Sequence, residues 1–222
     1  MSKHLERDLE SLEREILSQS SVVEEMIVKS FRALCDRQPA ICSELVEKEE
    51  ETNLREVRIE EECLKLLALH QPVAVDLRRV ATILKINSDL ERIADLTVNI
   101  AERASDLSVL PELAVPKNLE KMVEVSTTMV RSSLDAFVDL DANLAREVCG
   151  RDDEVDELNR EVIDDLYDVI QSESSLVRAA LHFFSAARHV ERIADHATNI
   201  AEDVIYLVRG EIVRHDPEGQ QG

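Results

Sequence analysis

Three observations predict an all-α fold built as two tandem three-helix bundles. Glycine and proline, the residues that interrupt helices, number only four and five in 222 residues, and Trp is absent. Apolar residues recur at spacings of three and four through long stretches, the period of an amphipathic helix. One phrase is written twice: residues 91–102 read ERIADLTVNIAE and residues 191–202 read ERIADHATNIAE, with nine of twelve positions identical at an offset of 100. That period exceeds the roughly 20–50 residues of a solenoid unit and matches a small domain able to bury its own core. The halves are placed at 1–110 and 111–222.

The first helix is expected from about Leu5 to Asp36, where Leu9, Leu12, Ile16, Val23, Met26, Ile27, Phe31 and Leu34 keep the helical spacing. Pro39 suits the first turn of a second helix, about Ala40 to Leu69, with Ile41, Leu45, Thr52, Ile59, Cys63, Leu66 and Leu67 inward. His70-Gln71-Pro72 breaks the pattern, and a third helix runs from about Val73 to Leu107. Residues 108–116, SVLPELAVP, hold two prolines without helical periodicity and form the linker.

The second half repeats the plan. A helix is expected from Asn118 to Asp139. Another spans Ala142 to Gln171, with Gly150 tolerated inside it at some cost. A turn at 172–175 precedes the last helix, Leu176 to Val208, and the polar tail after Gly210 is expected to fray. Leu34, Asp36, Ile41 and Val46 align with Phe137, Asp139, Leu144 and Cys149 at an offset of 103, so three residues are deleted before the offset of 100 begins.

Composition excludes several classes. A net charge of −21 argues against nucleic acid, whose phosphates demand clustered Lys and Arg. It suits cations or a basic protein partner. No apolar run approaches the ~18–20 residues of a membrane span, and the charged start MSKHLERDLE has no signal-peptide core, so a cytoplasmic protein is expected. Cys35, Cys42, Cys63 and Cys149 form neither a CxxC pair nor a zinc spacing and read as reduced core thiols. No phosphate loop, nucleophile elbow or Cys–His pairing supports catalysis.

On a wheel of ~100° per residue, Ile83, Ile86, Leu90, Ile93, Thr97 and Ile100 form one inward arc, as do Phe183, Ala186, Val190, Ile193, Ala197 and Ile200. Glu91, Asp95, Asn99 and Glu102 lie away from it, as do Glu191, Asp195, Asn199 and Glu202. A charged outer face is usually only solvated. Here it recurs 100 residues later, and Glu and Asp at i, i+4 repel unless something neutralises them. Counting back from the turns near 71 and 172 sets Glu49 and Asn53 beside Glu91 and Asp95, and Asp152 and Asp156 beside Glu191. Clustered carboxylates without matching Lys suit Mg²⁺, Mn²⁺, Fe or Ca²⁺, and Asn99 and Asn199 add amide oxygens or bond the carboxylates. His182, His189 and His196 share a stripe spaced by sevens, more than ~90° from the carboxylates. Their first-half counterparts are Thr82, Asp89 and Leu96, so the imidazoles are read as structural or surface groups.

The paired ERIAD…NIAE, together with the stretch Leu69-His70-Gln71-Pro72-Val73-Ala74-Val75-Asp76-Leu77-Arg78, resembles the PhoU family of phosphate-signalling regulators over about residues 5–210. The resemblance implies a cytoplasmic, non-enzymatic homodimer that restrains the phosphate-starvation response by linking a phosphate ABC transporter ATPase to a sensor histidine kinase. It also implies multinuclear metal clusters, iron or zinc in the family, on E/DxxxD motifs. Here those are Glu91/Asp95, Glu191/Asp195 and Asp152/Asp156, with Glu49/Asn53 as a fourth. Fe, Zn, Mn and Mg are therefore the expected metals, and Asn53 departs from the acidic pattern. A ferritin-like metal protein would need Glu-x-x-His pairs, of which the chain has none. A helical scaffold without metal is the remaining alternative.

Overall fold

The computed structural model describes residues 3–210; the tail expected to fray lies outside them. Its regular structure is helical: α1 (Lys3–Asp36), α2 (Ala40–His70), α3 (Val75–Leu107), α4 (Lys117–Asp139), α5 (Ala142–Cys149), α6 (Asp152–Ser172) and α7 (Val177–Arg209), with a 3-10 turn at Ser174–Leu176. The predicted inward arcs are buried. Ile83, Ile86, Leu90, Ile93 and Ile100 of α3 and Phe183, Ala186, Val190, Ile193, Ala197 and Ile200 of α7 sit inside. They meet Leu9, Ile16, Val23 and Ile27 of α1 and Met122, Met129 and Val130 of α4 in one apolar core running through both halves.

The helix expected from Ala142 to Gln171 is two helices. The Gly150 amide still bonds Arg146 O at 3.0 Å, but the Arg151 amide reaches Val148 O and the Glu154 amide reaches Arg151 O, bonds of three-residue span. This tighter winding ends α5 at Cys149 and restarts the chain as α6 at Asp152. Glycine weakens the helix at this point, so the turn re-aims α6 at little cost. Asp141 caps α5, its carboxylate accepting from the Asn143 and Leu144 amides.

Arg37 and Leu140 occupy equivalent places at the 103 offset, just past α1 and at the end of α4, and both adopt positive φ, 50° and 52°. Arg37 also fixes the linker. Its guanidinium donates to Leu107 O, Leu110 O, Pro111 O and Leu113 O at 3.1–3.4 Å. Arg37→Ala leaves four carbonyls without this donor, and an expected cost of about 1–3 kcal/mol follows from lost hydrogen bonds to a charged group. The urea midpoint checks it.

The two halves meet along α3 and α7, which run antiparallel. Arg78 donates to Leu207 O beside the left-handed cap Gly210 (φ 74°), Lys85 pairs with Asp203 at 2.9 Å, and Asp106 lies 3.5 Å from His182. Between them His196 Nδ1 meets Asp89 Oδ1 at 2.8 Å, both well shielded. The heptad-spaced histidines thus line this seam. The element Asp76-Leu77-Arg78 acquires a role through Arg78, which ties the start of α3 to the end of α7. Burial pushes the thiols up, Cys63 to about 12 and Cys35 and Cys149 to about 11, which keeps them protonated. No helix among the described residues is long and apolar enough to cross a membrane.

Candidate metal centre

Two acidic faces form because a second and a third helix lie antiparallel in each half. In the first half α2 brings Glu49 and Asn53 to α3. The Glu49 carboxyl is half-buried and within hydrogen-bond reach of Asp95. Burial, then the Asp95 carboxylate, push its pKa up, against a lowering hydrogen bond from Asn53. Glu91 is raised by burial, then by Asp95, Glu56 and Glu49, with Arg92 opposing. Asn53 donates its amide to Glu49 Oε1, and its own Oδ1 is buried with no hydrogen-bond partner.

The second half repeats the arrangement with α6 and α7. Asp152 accepts from Thr198 Oγ1 at 3.3 Å. Burial, then Asp195 and Asp156, push its pKa up. Asp195 is raised by desolvation, then by Glu191 and Asp156, against His196 and Arg188. Arg188 pairs with Glu191, and Arg92 lies 3.5 Å from Glu91.

The counting places Glu49 beside Glu91 and Asp95, and it meets Asp95; it places Asp152 beside Glu191, and the neighbour found there is Asp195. Asn99 is turned elsewhere with its amide nitrogen, donating to the backbone carbonyl of Asp95 at 2.8 Å. Asn199 is half-buried on the same stripe of α7. Among the described residues no three His, Cys, Asp or Glu groups converge closely enough to hold an ion in this arrangement. The carboxylates meet as pairs, with Arg92 and Arg188 flanking them. Sequence reasoning missed Glu56, Thr198 and the flanking Arg92 and Arg188. Glu56 was within reach, since it stands seven residues from Glu49 on the same stripe. Thr198 faces Asp152 only because α6 restarts where it does.

Fold and site together define a duplicated helical-bundle protein with one acidic face per half. The PhoU domain model matches residues 4–104 and 119–204, that is, α1–α3 and α4–α7. The chain is 38% identical over 216 residues, 97% of its length and 98% of the relative's, to the phosphate-specific transport system accessory protein PhoU homolog of Aquifex aeolicus. The homolog of Pseudomonas aeruginosa is 34% identical over 218 residues, covering 97% of this chain and 89% of that one. Crystal structures of PhoU from Pseudomonas aeruginosa and of the phosphate transport system regulatory protein PhoU from Streptococcus pneumoniae superpose with TM-scores of 0.87 and 0.88. They are 34% and 29% identical, cover 93% and 94% of this chain, and are each 99% covered. The chain belongs to the PhoU family.

Proposed function

We propose that this protein is a non-catalytic accessory of a phosphate transport system that regulates phosphate uptake and phosphate-starvation signalling. Its relatives are named as accessory proteins of a phosphate-specific transport system, and the match spans both halves. The finer reading is a cytoplasmic adaptor, acting as a homodimer, between a phosphate ABC transporter ATPase and a sensor histidine kinase. Bias toward one partner state would come from differential affinity for that state.

The acidic faces supply the reason for metal in this reading. Glu49, Asn53, Glu91, Asp95 and Asn99 in one half, and Asp152, Asp156, Glu191, Asp195 and Asn199 in the other, offer only oxygen donors suited to Mg, Mn, Fe or Zn. The observation that carries it is the half-buried Glu49 carboxyl within hydrogen-bond reach of Asp95, its pKa pushed up by burial and then by Asp95, beside Asn53 Oδ1, buried and without a partner. A bound cation would supply the positive charge these oxygens lack. Glu49 and Asp95 would then close on the cation, neutralising the face offered to a partner.

The test is elemental analysis of untagged protein, wild type against Glu91→Ala/Asp95→Ala/Glu191→Ala/Asp195→Ala. Loss of bound metal with the helical circular dichroism intact is expected. Equal metal content in the two proteins removes the assignment and leaves the scaffold reading.

A further inference from the structure

Helix α2 has two apolar faces where the bundle uses one. Leu45, Thr52, Ile59, Cys63 and Leu66 are buried inward. Val46, Leu54, Val57 and Leu64 form a second arc, centred roughly 150° away at ~100° per residue. They are open to solvent, Leu54 by 70%, Leu64 by 55% and Val57 by 51%. One exposed leucine needs no explanation, but a helical stripe about 27 Å long does.

The duplication provides an internal control. At the 103 offset, Leu54, Val57 and Leu64 correspond to Glu157, Arg160 and Tyr167 on α6, all exposed. The same place in the same bundle is thus filled by a Glu and an Arg in the other half. Packing does not require the stripe on α2.

Charge decides what covers it. Glu50 and Glu61 are exposed within the stripe. Glu49, Glu56 and Glu60 border its α3 side, next to Glu91 and Asp95. On α2 itself the nearest cations, Arg58 and Lys65, stand on the opposite flank, Lys65 paired with Glu62 at 2.7 Å, and on the α3 side a single Arg92 faces the several acids there. A second copy, with its own charge of −21, would bring acids against acids. A helix carrying Lys or Arg beside an apolar stripe fits both features.

We propose that the outer face of α2 docks an amphipathic, cationic helix of a partner protein. Its apolar residues cover Leu54, Val57 and Leu64, and its basic residues lie along the Glu49–Glu56–Glu60 flank. This deepens the accessory role and rests on it.

The test uses the full chain and a fluorescent synthetic helix of about six turns with a leucine stripe and flanking lysines. Wild type binds it. Leu54→Glu/Val57→Arg, the residues α6 carries at the matching positions, weakens binding at least about tenfold, with circular dichroism unchanged. A peptide with Glu in place of Lys does not bind. Equal binding by the variant, equal binding of a shuffled peptide, or no binding by wild type overturns the proposal. So does self-association of wild type that the variant abolishes, since the occupant is then a second copy. Co-purification of phosphate-transport components with wild type but not with the variant supports it. Retention by the variant overturns it while leaving the accessory role standing.

Discussion

Phe183→Ala is expected to cost about 3–5 kcal/mol of unfolding free energy, the range for emptying a buried phenyl position. Phe183 is 1% exposed on α7, the helix that packs against α3, α4, α5 and α6. Its helix is held against four others, which limits how far it can shift to close the cavity. For a domain of this length each kcal/mol lowers the melting temperature by roughly 2–4 °C, so a drop on the order of 10 °C follows. The matched control is Leu54→Ala on the open face of α2, expected within about 0.5 kcal/mol of wild type. Urea unfolding measures both. A Phe183→Ala cost under about 1 kcal/mol would show that the core is not packed as described.

Metal-free protein is expected to gain stability from its acidic faces as the pH falls from neutrality to the ordinary carboxylate range of about 4. Glu49, Glu91, Asp152 and Asp195 all bind protons more tightly folded than unfolded. Their favourable contribution is complete below the ordinary carboxylate range and disappears as the pH rises through the raised values. Two groups act differently. His189 is held below its usual range by burial and then by Arg103 and Arg192, so its contribution falls as the pH drops through about 6.5. Glu25, held down to about 2 by Lys48 and Lys29, acts in the opposite sense, its contribution falling as the pH drops from the ordinary carboxylate range toward about 2. Comparing wild type with the Glu91, Asp95, Glu191, Asp195 quadruple alanine variant in EDTA cancels both. The difference between the two proteins should shift toward wild type on acidification. Adding Mn²⁺ at pH 7.5 should do the same, by about 2.7 kcal/mol at a hundredfold excess over Kd. A pH- and metal-independent difference would mean that the carboxylates neither crowd nor share a cation.

Much of this was legible in the residues because helices are rigid and periodic. A fixed rise per residue let Glu49 be set near Glu91 and Asp95 by counting from the Gln71 turn, and the inward arcs of α3 and α7 followed from spacing alone. The break at Gly150–Arg151 was not legible. One glycine inside a good helical pattern is compatible with either continuation or a turn, and packing of α5 and α6 against α7 makes the choice. Long-range partners were equally hidden. The stripe of His182, His189 and His196 was visible, but Asp89 and Asp106 as its neighbours depend on how two bundles meet. Arg37 gave no sign of reaching four carbonyls some 70 residues away.

The pairing of Lys85 with Asp203 has a consequence for which halves associate. If either repeat associated with a duplicate of itself in the same geometry, position 85 would oppose 103, or 185 would oppose 203. The first match sets Lys85 against Arg103, two cations; the second sets Ser185 against Asp203, with no countercharge. Only the sibling combination is electrically matched. This contact therefore favours the first half against the second over either half against its own copy.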